Sequence, residues 1–62
     1  MPFIEVKMLT GRSDDQKRKL VGAITDAIVE ICESPRESTM VVIEELECDH
    51  WAVSGQMVSD RG

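Results

Sequence analysis

Apolar and polar positions alternate along the first stretch of the chain. In PFIEVKML, residues 2–9, Ile4, Val6 and Met8 alternate with Glu5 and Lys7, the period of two of a strand with one buried face. Phe3 falls on the otherwise polar face, and Thr10-Gly11 then supplies a turn. From Ser13 the period lengthens. Leu20, Ile24, Ala27, Ile28 and Ile31 recur at helical spacing, with Val21 and Ala23 widening the stripe. Ser13 and Gln16 form an S-x-x-Q capping box, and Asp14 and Asp15 place negative charge on the positive end of the helix dipole. Lys17, Arg18, Asp26 and Glu30 read as a solvated face, and Pro35 stops the helix. Residues 39–46, TMVVIEEL, are rich in β-branched side chains and predict a second strand. Thr39, Val41, Ile43 and Glu45 share one of its faces, and Met40, Val42, Glu44 and Leu46 the other. The tail, 48–62, carries Trp51 and Ser54-Gly55, which predict a short hairpin and an extended end.

A helix of about twenty residues between two strands suits a right-handed crossover and parallel pairing. The predicted class is therefore α+β: one domain over residues 1–62, a βαβ unit with a parallel strand pair and a short C-terminal hairpin. Two strands and one helix cannot cover both faces of a sheet, so the unit must find copies of itself.

Composition sharpens that expectation. A chain of 62 residues buries only about 60% of the surface its unfolded form exposes, so a lone subunit is marginal. Two cysteines, Cys32 and Cys48, make a thin disulfide framework, and reduced thiols in a cytosolic protein fit better. Hydrophobic residues make up 42% of the chain, nearly all aliphatic, and much of that surface is expected between subunits. A net charge of −5 argues against nucleic acid as a partner, and no run reaches the length of a membrane span. An anionic ligand would need a local cationic pocket.

Two residues carry candidate chemistry. Pro2 can begin an edge strand, where proline is tolerated. It can also be a base: once Met1 is removed, its nitrogen becomes a secondary amine, and an ordinary α-amino group has a pKa of about 8, close to where general base catalysis works best. Arg12 stands just before the helix N-cap, where facing the positive dipole end costs about 0.3–1 kcal/mol. That is poor placement for structure alone and good placement for an anion, because the guanidinium and free helix-end N–H groups can converge on one carboxylate. The plainer reading is a solvent-screened surface arginine. Across a subunit interface the two could meet, and a cation near the Pro2 amine would lower its pKa. Cys48-x-His50 could be half a metal site, but no second zinc-type pair exists, so no metal is expected. Residues 44–49 lack the spacing of a calcium loop and read as a solvated strand end.

The start MPFIEVKMLTGRSDDQK, the apolar helix closed by Pro35, the VVIEE strand and HWAVSGQ near the end together resemble the 4-oxalocrotonate tautomerase family over essentially the whole chain. The resemblance implies a βαβ subunit that dimerises into a four-stranded sheet with helices on one face, usually assembled as a hexamer, a trimer of dimers. It implies cofactor-free enol–keto tautomerisation of small 2-hydroxy-dienoate carboxylates. Pro2 would be the general base, and Arg12 would bind and polarise the distal carboxylate. Trp51 would be an apolar wall where the family usually has phenylalanine, while Leu9 and Ser38 match pocket-lining positions. The family's second substrate-binding arginine falls on Met40, which cannot bind a carboxylate. Arg36, and more remotely Arg61, are candidate substitutes. Two alternatives follow. The chain could be a non-catalytic or half-site subunit of a hetero-oligomer, whose partner restores the arginine. It could also use the same amine for hydration or dehalogenation, which would require Glu5 or Glu45 in the pocket to activate water.

Overall fold

The structure, a computed structural model, describes residues 1–61; Gly62, the last residue of the expected tail, lies outside them. Strand β1 (Phe3–Leu9), helix α1 (Asp14–Cys32) and strand β2 (Met40–Leu46) form the body. The strands pair in parallel, with Phe3 opposite Met40, Glu5 opposite Val42, Lys7 opposite Glu44 and Leu9 opposite Leu46. β3 (Ala52–Val53) and β4 (Gln56–Met57) form a short antiparallel hairpin. Its turn places Ser54 and Gly55 at positive φ, the conformation for which Gly is suited. The α+β arrangement expected from the hydrophobic pattern is the one observed.

The helix start follows its local grammar. The Gln16 N–H donates to Ser13 Oγ at 3.1 Å, and the Ser13 N–H donates to Gln16 Oε1 at 2.9 Å, closing the capping box. The helix end differs from expectation. It closes at Cys32, with Glu33 in the left-handed region (φ 55°, ψ 36°), before Pro35 is reached. The packed stripe is also rotated. Leu20, Val21, Ile24, Thr25, Ile28 and Val29 are half-buried, whereas Ala23, Ala27 and Ile31 are exposed. Thr25 fits that stripe because its hydroxyl donates to the Val21 carbonyl at 2.7 Å. Lys17, expected on the solvated face, lies half-buried over the sheet. The tail is corrected as well: after the hairpin it coils into a 3-10 turn over Val58–Arg61 instead of extending.

No described residue is fully buried. The subunit exposes 4665 Å², against about 4,000 Å² for a compact monomer of its mass. Its radius of gyration is 14.7 Å, where about 11 Å is usual for this length. With principal extents of 42 × 24 × 14 Å, it is a thin plate of one helix on one sheet, with a C-terminal segment that packs chiefly on itself. The face of the sheet turned away from α1 exposes Phe3, Met40 and Val42 at one end and a Glu5–Lys7–Glu44 cluster at the other. No described helix is long and apolar enough to cross a membrane.

Candidate active site

The site residues expected from the sequence fall into two groups at opposite ends of the sheet. At one end, β1 begins beside Pro2, whose carbonyl accepts from the Met40 N–H at 3.0 Å. This bond extends the parallel ladder past Phe3 and sets the proline backbone next to Met40, while Met1 projects into solvent. Ser38 precedes Met40 in the 3-10 turn Arg36–Ser38, and its hydroxyl donates to the Pro35 carbonyl at 3.2 Å. The Arg36 side chain turns back onto α1, where it forms an ion pair with Asp26.

At the other end, β1 finishes at Leu9 and the chain passes through Gly11 (φ 125°) to Arg12. Positive φ is easy only without a Cβ, so Gly11 sets the direction in which Arg12 leaves the strand. Arg12 is exposed, and its Nη1 donates to the Leu9 carbonyl at 3.4 Å. The turn is held from β2: the Thr10 N–H donates to the Leu46 carbonyl at 3.0 Å, and the Thr10 hydroxyl donates to Glu47 at 3.5 Å. Trp51 is half-buried after the 3-10 turn Cys48–His50, with its carbonyl accepting from the Val58 N–H at 2.7 Å.

Pro2 and Arg12 are therefore not neighbours within one subunit. Six residue steps of strand separate Phe3 from Leu9, or roughly 20 Å at strand rise. Glu5 and Glu45, either of which a water-activating mechanism could use, are both engaged with lysine. Glu5 lies 3.8 Å from Lys7 on the outer face, and Glu45 lies 2.7 Å from Lys17 beneath the helix. Both lysines are held above their ordinary range, first by hydrogen bonds to Glu44 for Lys7 and to Glu45 for Lys17. Among the described residues, no three metal-ligating side chains are grouped.

The Lys17–Glu45 contact is the feature that sequence reasoning missed. The signal for it was faint: Glu45 stood in the inward row with Val41 and Ile43, a carboxylate among apolar side chains that required a partner.

Comparison with known proteins bears on this geometry. A family described as "Tautomerase enzyme" matches residues 2–61. A 2-hydroxymuconate tautomerase of Bacillus subtilis is 48% identical over 60 residues, covering 97% of each chain. A crystal structure of a homologue of 4-oxalocrotonate tautomerase superposes with a TM-score of 0.93 at 47% identity, covering 95% of this chain and 97% of that one. A heterohexameric 4-oxalocrotonate tautomerase from Chloroflexus aurantiacus gives 0.92 at 30% identity, covering 97% of both. With the match running through both ends of the sheet, this chain belongs to the tautomerase enzyme family.

Proposed function

We propose that the chain is a cofactor-free enol–keto tautomerase of small 2-hydroxy-dienoate carboxylates, acting in the cytoplasm as a homo-oligomer. The observation that carries this reading is the placement of Pro2 and Arg12 at opposite ends of one exposed-edge strand. Among the described residues β2 is the only strand paired with β1, which leaves the other edge of β1 unpaired by them. Two β1 strands paired antiparallel across a dimer would set the Pro2 end of each against the Leu9–Arg12 end of the other. The β2–β1–β1–β2 sheet so formed would have four strands and carry both helices on one face.

In that arrangement the amine of Pro2, freed of Met1, takes the proton of the enol hydroxyl and returns a proton to a carbon of the dienol, leaving the ketone. The Arg12 guanidinium of the facing subunit holds the far carboxylate and draws electron density along the conjugated system. Its positive charge also disfavours the protonated amine. Leu9, Ser38 and Trp51 line the cleft, Trp51 as an apolar wall that excludes water. Met40 brings an apolar surface to the Pro2 end, so a monocarboxylate enol suits the cleft at least as well as a dicarboxylate. Arg36 could serve as a second anchor only after leaving Asp26.

The test is ketonisation of 2-hydroxymuconate, followed by loss of enol absorbance, with protein shown by intact mass to lack Met1. Turnover well above the buffer rate is expected. In a Pro2→Ala variant, which keeps a primary amine, kcat should fall by at least about tenfold, a part of the roughly 10²–10⁴ that a positioned general base contributes. Undiminished turnover in that variant would defeat the proline mechanism.

A second reading is favoured by Met40 and by the heterohexameric relative: a half-site subunit whose different partner supplies the missing cation. Its signature is a purified chain that fails to assemble alone or turns over only when mixed with a second tautomerase chain.

A further inference from the structure

One ion pair stands apart from the others. Lys17 Nζ lies 2.7 Å from Glu45 Oε1, with the two side chains only 26% and 28% exposed. The Lys7–Glu44, Arg18–Asp15 and Arg36–Asp26 pairs are about half exposed or more, and pairs of that kind contribute little to stability. Glu45 occupies the inward row of β2 with Val41 and Ile43, where an apolar residue would pack without desolvating a charge. Stability alone is a poor reason for a carboxylate there.

Its location supplies a better one. Three consecutive residues, the last two of β2 and the one that follows it, grip the segment that carries Arg12. Glu45 takes Lys17, the Leu46 carbonyl takes the Thr10 N–H, and Glu47 takes the Thr10 hydroxyl. Lys17 is also tied into the helix start, through its N–H to the Ser13 carbonyl at 3.1 Å and its ammonium 3.6 Å from Asp14. Arg12 lies between these two attachments, and its own side chain has only the long contact to Leu9. A guanidinium on a flexible stem is placed no better than the backbone beneath it.

We infer that Lys17 and Glu45 are positioning residues for Arg12: their ion pair fixes the start of α1 on the end of β2 and so sets where the guanidinium meets a substrate carboxylate. The inference rests on the reading of Arg12 as the carboxylate anchor.

The experiment is a double-mutant cycle on the assembled protein with Met1 removed, using 2-hydroxymuconate and reading KM and kcat separately. Lys17→Met and the paired Lys17→Met/Glu45→Met variant are each made with Arg12 intact and in the Arg12→Ala background. With Arg12 intact, both should raise KM by about tenfold or more, because displacement of a binding group by an ångström is felt that strongly, while kcat changes less. In the Arg12→Ala background, the same substitutions should change KM by less than about twofold, since coupled sites are not additive. Lys17→Arg, which keeps the charge, should restore KM. If Lys17→Met alone does not assemble, the paired apolar variant, which leaves no unpaired charge, is the one read.

An equal rise in KM in both backgrounds would show a general packing effect and overturn the inference. So would restoration of KM by the paired variant, which would trace the defect to an unpaired Glu45. An unchanged KM in Lys17→Met, with Arg12→Ala impaired, removes the positioning role and leaves the anchor standing. An unchanged KM in Arg12→Ala removes the anchor itself.

Discussion

Truncation of Phe3 tests whether the outer sheet face is an interface. Phe3 is 57% exposed in the subunit, on the same face as Met40 at 45% and Val42 at 43%. A phenylalanine buries about 200 Å² when fully enclosed, so Phe3 retains about 110 Å² that assembly could remove from water. At about 25 cal/mol per Å², covering it contributes about 2–3 kcal/mol per subunit. Phe3→Ala should then weaken association by roughly 30- to 150-fold for each Phe3 that assembly covers, and an interface by at least that factor. The assay is sedimentation velocity across a dilution series, with a thermal melt at each concentration. The variant should dissociate at a concentration raised by that factor, and its melting temperature should become more concentration-dependent. A dilution curve identical to that of the wild type would refute the reasoning. So would a wild-type chain that stays monomeric at every concentration yet melts in one cooperative transition.

Two further outcomes follow from the same geometry. Met40→Arg should raise kcat/KM for a dicarboxylate dienol by about 100-fold, the lower end of what a charge-stabilising donor contributes, with little change for a monocarboxylate enol. Equal effects on both substrates would remove Met40 from the cleft. Stability should also fall in strong base: Lys7 and Lys17 are raised above 10.5 by their glutamate partners, so the contribution of the two pairs is complete below that value and is lost as pH rises through the higher folded-state pKa values. The melting temperature of Lys17→Met/Glu45→Met should decline less than that of the wild type over that interval, and parallel curves would rule out the linkage.

Much of the fold was legible because it depends on short-range rules. Ile4, Val6 and Met8 mark the inner face of β1 by alternation alone, and Ser13 with Gln16 marks the helix start by a reciprocal bond across three residues. The features that escaped depend on how elements sit on one another. A lysine at position 17 is polar by type, and its burial appears only when α1 is rotated to lay Leu20, Ile24 and Ile28 on the sheet. The helix ended early because Glu33 takes the left-handed conformation, a role that glycine usually announces and glutamate does not. At the candidate site, the exposed position of Arg12 just before the helix cap was legible from the sequence. The Arg36–Asp26 pair was not, since it depends on the 3-10 turn that folds Arg36 back over the helix.

The separation of Pro2 from Arg12 has a consequence for how catalysis and assembly are linked. A seven-residue strand holds its ends apart by a distance no arginine can bridge: a fully extended side chain reaches about 7 Å, against roughly 20 Å of strand. On the proposed roles, one subunit would supply a base or an anchor to a given cleft, never both. The same strand carries Phe3 on an exposed face and has an edge unpaired among the described residues, so the element that separates the two groups also offers the surface that would reunite them. The antiparallel pairing proposed above would yield two equivalent clefts from one interface, and losing the interface would lose both. Marginal stability of the lone subunit is then no defect. If the proposed roles hold, an unassembled chain would have no complete site, and activity should rise and fall with the concentration of assembled protein.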